Sequence, residues 1–186
     1  MKFMKLKYIL ILSLILSVSL FTQTESLNNQ PDERLWISLG LGVSDDQIDP
    51  WQPYPSSGFS FNYSYGNKLF RLRYYYNSLH APFTEQMKCV EDIGFLYGYR
   101  KQFAKGAVSL SVGISLVNGF YYKWLGPESG ETYDRISYSS VGFPFEAQLD
   151  WLPFRKFGLG MSIYCDLNSE MNYYGLMLSV NLGKVR

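Results

Sequence analysis

The sequence predicts an all-β fold: an eight-stranded antiparallel up-and-down transmembrane β-barrel. Segment after segment alternates large apolar residues with small or polar ones at a strict period of two, which is typical of β-strands. The alternating segments number eight, and the connections between them are short and long in turn. A basic start and an apolar run precede the first segment, as in an exported protein.

The N-terminal residues 1–23 are interpreted as a signal peptide. Three lysines precede an apolar stretch, Tyr8 to Phe21, that only serines interrupt. This stretch is shorter than the ~20 apolar residues that a membrane-spanning helix needs. An uncleaved anchor stays the alternative, because Leu20–Gln23 forms a poor small-x-small cleavage site. Residues 24–34 follow as a polar lead-in, and the barrel domain is expected over 35–186.

The first half of the barrel domain contains four predicted strands. In each one, every second residue is large and apolar, while the residues between are mostly Gly, Ser, Asn or charged. The apolar faces lie at Leu35–Val43, Phe59–Tyr65, Phe70–Tyr76 and Ile93–Tyr99.

The second half contains four more strands of the same kind. Their apolar faces lie at Val108–Leu116, Val141–Trp151, Leu159–Ile163 and Tyr174–Leu182, and Gly and Ser dominate the opposite faces. The even number of strands matches bacterial membrane barrels.

The connections predict which end of the barrel faces which way. Short connections at Gly66–Lys68, Gln102–Gly106 and Leu152–Lys156 are interleaved with longer ones at Asp45–Ser57, Asn77–Lys88 and Gly119–Arg135, and only the last loop, Leu167–Asn172, is brief. Short turns on the periplasmic side and longer loops outside are typical of bacterial outer-membrane barrels.

The size of the side chains predicts which face points outward. The lumen of an eight-stranded barrel is only just wide enough to be filled by side chains, so large residues from every strand would crowd it, whereas Gly, Ser and a few long polar residues would fit. An outward apolar surface would aggregate in water but suits hydrocarbon. A soluble lipocalin-like barrel, with the faces reversed, is the alternative.

The last strand carries the most local resemblance. Gly175, Leu178 and Val180 form a glycine-plus-alternating-hydrophobics pattern, in which the chain resembles the small eight-stranded bacterial outer-membrane barrels, the group that includes the OmpA membrane domain and OmpX. That group often ends on an aromatic residue, whereas this chain ends Leu182–Arg186 without one. The resemblance implies outer-membrane localisation and two partners, outer-membrane lipid and the barrel-insertion machinery.

Charged residues on the predicted lumen face form the main candidate site. Unpaired charges would be costly in a narrow, poorly hydrated interior, so they are expected to form a cross-lumen network of salt bridges. Its expected members are Arg71, Arg73, Asp92, Arg100, Glu146 and Asp150. The alternative is a narrow solute or ion channel gated by these pairs.

Catalysis is not expected. The single histidine, His80, lies on a predicted outer loop with Ser78 two positions away and Glu85 nearby. Barrels of this size that modify lipid acyl chains, such as PagL and PagP, use His and Ser, which makes a lipid-modifying hydrolase or transferase an alternative; this chain matches neither enzyme's motif. No spacing of His, Cys and Asp predicts a metal site, and no Gly-rich phosphate cradle predicts a cofactor.

The charge balance of the sequence argues against nucleic acid as a partner. Without the three leader lysines, 14 basic and 16 acidic side chains remain, so no electrostatic footprint for nucleic acid is present.

The predicted outer loops are rich in aromatic residues that could contact an external ligand of unknown identity or anchor the barrel at the interface. They are Trp51, Tyr54, Tyr121, Tyr122 and Trp124. The leading expectation is a non-enzymatic outer-membrane barrel with a structural or surface-interaction role.

Overall fold

The computed structural model describes residues 32–47, 53–80, 86–124 and 133–186, and these residues form one compact unit, Asp32–Arg186. The predicted signal peptide and most of the polar lead-in lie outside the described residues and stay predictions. The first strand begins at Glu33, inside the predicted lead-in.

Eight antiparallel strands form a closed barrel in simple up-and-down order, and β1 closes the barrel by pairing with β8. The strands are β1 Glu33–Asp46, β2 Tyr54–Tyr65, β3 Lys68–His80, β4 Gln86–Gln102, β5 Gly106–Trp124, β6 Tyr133–Trp151, β7 Phe157–Asn168 and β8 Tyr173–Gly183. The predicted fold class, an eight-stranded antiparallel up-and-down barrel, is confirmed. No helix among the described residues is long and apolar enough to cross a membrane.

The two ends of the barrel differ in the length of their connections. The end that we call the turn end carries the three short turns and the beginning and end of the described barrel. Its tightest turn is Gly66-Asn67, where Gly66 has a φ of 58°, in the left-handed region that favours glycine. The opposite end, where β1, β3, β5 and β7 end, is called the loop end.

Several strands extend further toward the loop end than the sequence predicted. β2 begins at Tyr54, and β5 continues to Trp124, so Tyr54, Tyr121 and Tyr122 lie in strands and not in loops. The apolar alternation marks only the part of a strand that faces an apolar environment. The hydrogen-bonded ladder continues beyond it with polar residues such as Ser and Asn, because backbone pairing does not require alternation.

At the loop end, β5 and β6 extend well beyond the end of β7. β7 ends at Asn168, which pairs with Gly142, whereas β6 continues upward from there to Tyr133. Among the described strands, residues 133–141 of β6 therefore pair only with β5.

The outer surface is apolar around the whole circumference, as predicted. Every strand exposes at least one large apolar side chain, and on β1 these are spaced every second residue from Leu35 to Val43, with Leu41 72% exposed. Charged residues in the middle of the strands face the lumen, where Arg71, Arg73 and Arg100 are at most 2% exposed. The polarity of the barrel is therefore apolar outside and charged inside.

Candidate functional site

The middle of the lumen is crossed by an ion-pair layer between β3 and β6. The guanidinium of Arg71 pairs with the carboxylate of Glu146, and Arg73 Nη1 lies 3.3 Å from Glu146 Oε2. Arg73 Nη2 lies 2.5 Å from Asp92 Oδ2 on β4. Since Glu146 contacts both arginines across the lumen, it links one wall of the barrel to the other.

Neutral polar side chains add hydrogen bonds to this layer, although Arg73 Nε and Asp92 Oδ1 have none among the described residues. Arg71 Nε donates to Asn62 Oδ1 at 2.6 Å, and Tyr75 Oη donates to Glu146 Oε2 at 3.1 Å. Tyr173 donates a hydrogen bond to Asp92. Ion pairing and these hydrogen bonds together offset the cost of removing the charges from water.

A second cluster of side chains closes the turn end of the lumen. Arg100 lies 4.3 Å above the ring of Trp36, with Nη1 donating to the carbonyl oxygen of Val185 at 3.1 Å and Nη2 to Asp150 at 3.3 Å. Trp36 packs with Leu69, Ala107, Leu152 and Val185 in a buried apolar cluster. Val185, in the chain after β8, thus helps to cover the lumen at the turn end.

A third cluster lies at the loop end. Lys88 pairs with Asp46, and Tyr54 Oη donates to Asp46 at 3.0 Å. Tyr164 Oη donates to Ser56 Oγ at 3.0 Å and lies 3.2 Å from Asn77 Oδ1. Because each of these groups is buried and bonded, the loop end of the lumen is also filled.

Between the ion-pair layer and the loop end lies a buried cluster of aromatic and apolar side chains. It consists of Tyr75, Val90, Val117, Tyr164, Met171, Tyr173 and Met177. The one cavity described beside the layer, bordered by Ser60, Tyr75 and Glu146, has a volume of about 10 Å³. A volume of that order is at the limit for a single water molecule. No continuous bore is therefore seen through the described lumen.

All six residues of the predicted network face the lumen and form ion pairs there: Arg71, Arg73, Asp92, Arg100, Glu146 and Asp150. They form two ion-paired groups, Arg100 with Asp150 toward the turn end and the other four in the middle. Gln148 joins the groups, because it accepts a hydrogen bond from Arg71 and donates one to Asp150 at 2.6 Å. The ion pair of Lys88 with Asp46 was missed, because both residues had been assigned to loops. Extending the period of two from Asp92 back to Lys88 would have placed that lysine on the lumen face.

The aromatic residues that were predicted as loop contacts do not all lie in loops. Tyr54 is buried in the lumen, 1% exposed, so its assignment to an outer loop was wrong, since β2 begins five residues earlier than the apolar alternation indicates. Tyr121 and Tyr122 are half-buried near the top of β5, with the Tyr121 ring 6.3 Å from that of Tyr138. Trp51 and the side chain of Trp124 lie outside the described residues.

Cys89, which is buried, and Cys165, which is half-buried, are not joined in a disulfide. The backbone of His80 forms the end of β3, so it is a strand residue and not a loop residue, and its side chain lies outside the description. Within the described part of the chain, no group of three or more His, Cys, Asp and Glu side chains is placed to hold a metal ion.

Comparison with known proteins places the fold among small outer-membrane barrels. The crystal structure of neisserial surface protein A matches with a TM-score of 0.59 at 13% identity, covering 81% of this chain and 96% of that one. Ail of Yersinia pestis, crystallised with the heparin analogue sucrose octasulfate, matches with a TM-score of 0.56 at 8% identity, over 83% of this chain and 99% of that one.

The N-terminal β-barrel domain of OprF from Pseudomonas aeruginosa matches with a TM-score of 0.54 at 12% identity, over 83% and 99% of the two chains. No protein-family model matches the sequence, and no curated protein matches it. The likeness is one of fold: an eight-stranded barrel of the outer-membrane type.

Proposed function

We propose that this protein is a non-enzymatic outer-membrane β-barrel, with a filled lumen that makes it a rigid scaffold and a loop end that faces the exterior. The observation that carries the proposal is the inverted polarity of the barrel. Large apolar side chains are exposed on all eight strands, while thirteen charged or amide side chains of the described strands are buried, among them Arg71, Arg73 and Glu146.

The apolar belt supports a lipid environment. A water-soluble barrel that binds small molecules places its apolar residues inside, and a belt such as Leu35–Val43 on its outside would drive aggregation. In hydrocarbon the belt is favourable, and closure of the barrel satisfies the backbone hydrogen bonds that lipid cannot. The lipocalin-like alternative does not account for this arrangement.

The filled lumen argues against a solute or ion channel. An open pore needs a continuous polar path, but Trp36 and Val185 close one end and the cluster of Tyr75, Tyr164 and Tyr173 lies toward the other. The ion pairs between Arg71, Arg73 and Glu146 leave these charges facing one another and not a hydrated bore. We expect no conductance in planar bilayers, and none after Arg71→Gln with Glu146→Gln.

The absence of enzymatic activity is part of the proposal. The lumen carboxylates are engaged with arginine, lysine or hydroxyl groups, whereas a general acid or base needs access to substrate. If a lipid-modifying activity is detected in the purified protein, His80→Ala would abolish it under the enzyme alternative. The proposal expects lipid composition to be the same with and without that substitution.

A surface-interaction role fits the β5–β6 hairpin. On its outer wall Phe120 and Tyr122 meet edge to face with ring centroids 6.1 Å apart, and Arg135 lies 3.9 Å above the Phe120 ring. Aromatic and arginine side chains dominate the energetics of protein interfaces. The proposed partners are outer-membrane lipid around the belt, the insertion machinery during assembly, and an external ligand at the loop end.

The experiment that tests the proposal is gel mobility of the envelope fraction with and without boiling, since closed membrane barrels resist SDS until heated. A heat-dependent shift of the protein in the membrane pellet is the expected result. An unshifted protein in the periplasmic fraction would contradict the proposal.

A further inference from the structure

Charged side chains are segregated along the barrel axis, although the net charge of the chain is close to zero. Six lysine and arginine side chains lie in or beside the short turns and after β8. They are Lys68, Lys105, Arg155, Lys156, Lys184 and Arg186. The exposed acidic side chains described at this end are Asp32 and Glu33. The turn end therefore carries an excess of positive charge.

The loop end has the opposite character. Glu91, Asp134 and Glu170 are exposed there, and Arg135 is the exposed basic side chain among those that the structure describes at this end. The near-neutral total thus results from two oppositely charged ends, which a net-charge argument cannot reveal.

Some of the positive charge at the turn end is neutralised locally. Lys184 Nζ donates to Asp32 at 3.0 Å, and Arg34 Nη2 lies 2.9 Å from the other carboxylate oxygen. The hydrogen bond from Lys184 lowers the pKa of Asp32, and the contact with Arg34 lowers it further, so the carboxylate is ionised at neutral pH. Lys68, Lys105 and Lys156 form no ion pair with any other described residue.

These three lysines lie directly beyond the apolar belt. Each is close to an exposed aromatic residue. Lys68 pairs with Tyr99 across β3 and β4, while Lys105 and Lys156 come two residues after Phe103 and Phe154. Aromatic rings favour the boundary between hydrocarbon and headgroups, and lysine side chains reach from there to the phosphate level. Three ammonium groups therefore lie beside exposed aromatic residues at the same end of the barrel.

We propose that the turn end binds anionic phospholipid headgroups of the leaflet that it faces, with Lys68, Lys105 and Lys156 contacting the phosphates. The inference rests on the proposed membrane location, because only an inserted barrel brings the three ammonium groups to headgroup level. Charge complementarity favours anionic over zwitterionic lipid, since basic groups within about 10 Å of a negative surface are attracted to it.

The test uses the full-length chain folded into vesicles of phosphatidylcholine that contain spin-labelled phosphatidylglycerol or spin-labelled phosphatidylcholine. Electron paramagnetic resonance gives the relative association of the two labelled lipids with the barrel. We expect a preference for phosphatidylglycerol of about threefold or more in about 0.05 M salt, decreasing toward none in about 0.5 M salt.

Substitutions of the three lysines test whether these residues cause the preference for phosphatidylglycerol. Lys68→Gln, Lys105→Gln and Lys156→Gln together should at least halve it, and the charge-conserving triple change to Arg should retain it. The matched control, Glu91→Gln with Asp134→Asn and Glu170→Gln at the loop end, should not lower it. An equal loss in the control would overturn the assignment to the turn end.

The outcomes separate this inference from the proposed function. Heat-modifiable mobility in the same vesicles reports insertion: if the protein does not insert, the proposed function fails first. If it inserts and shows no preference for phosphatidylglycerol, only the present inference is wrong. Binding to purified peptidoglycan that depends on the three lysines, without any lipid preference, would also overturn the inference and assign the turn end to a polymer.

Discussion

The ring of Tyr75 lies directly across β3 and β2 from Gly58, and it occupies the space that a side chain at position 58 would need. The two residues pair in the register of the sheet. A Cβ built on Gly58 would meet the ring carbons of Tyr75 and the backbone oxygen of Tyr74 at less than normal contact distance. Gly175 has the same relation to Tyr164 across β8 and β7. Glycines on the lumen face thus make room for the tyrosines that fill it.

Gly58→Ala should therefore destabilise the barrel. Overpacking of a well-packed interior costs about 1–3 kcal/mol, and here the backbone of the neighbouring strand limits relaxation. We expect a loss of this size in the free energy of unfolding measured by urea titration in detergent micelles or vesicles. Ser57→Ala, at the adjacent outward position, is the control and should change the free energy by less than about 0.5 kcal/mol. A loss in the control as large as that in Gly58→Ala would contradict the packing argument.

Glu146→Gln should be the most destabilising conservative change in the lumen. The carboxylate contacts Arg71 and Arg73, so its neutralisation leaves two buried guanidinium groups with one anionic partner fewer. Removing one partner of a buried ion pair costs about 3–5 kcal/mol. The measurement is again urea unfolding, with Lys105→Gln at the exposed turn end as control.

The double variant Glu146→Gln with Arg71→Gln tests the origin of that loss. Removing both partners should recover part of the stability, because the penalty of an unpaired buried charge is relieved. Strictly additive losses would mean that the two side chains are not energetically coupled, and the cross-lumen pair would then have no special role in stability.

The strand order and the lumen network could be predicted from the sequence because both follow from the period of two. Arg71, Glu146 and Asp150 occupy the polar positions of the alternation, which assigned them to the lumen face. Because unpaired buried charges are costly, these residues were then expected to form ion pairs. The same argument failed near the loop end, where Tyr54 and Lys88 were assigned to loops. At the loop end the strands extend beyond the apolar belt. Their outward positions there no longer carry the large apolar residues that mark the alternation in the sequence. The link that Gln148 makes between Arg71 and Asp150 depends on three-dimensional distances that no spacing in the sequence contains.

Leu39→Arg distinguishes lipid from water around the belt. Leu39 is 52% exposed in the middle of the apolar face of β1. In a bilayer, arginine near the midplane of a barrel costs about 2–4 kcal/mol, whereas an exposed arginine on a soluble barrel costs little. We expect a reduced yield of heat-modifiable protein on folding into vesicles. The control Ser139→Arg, exposed on β6 above the belt, should fold like the wild type; equal yields for both variants would contradict membrane insertion through this face.

Backbone amides in the upper part of β6 should exchange with solvent faster than those in the lower part. Residues 145–151 pair with both β5 and β7, whereas residues 133–141 pair with β5 alone among the described strands and lie beyond the end of β7. In an antiparallel ladder with one neighbour, only about half of the amides have a strand partner, and local opening needs less free energy where fewer bonds must break. Hydrogen exchange of the folded protein in lipid nanodiscs, followed by mass spectrometry, measures the difference. Equal protection of the two parts would mean that a segment outside the described residues, or a bound partner, covers the free edge of β6.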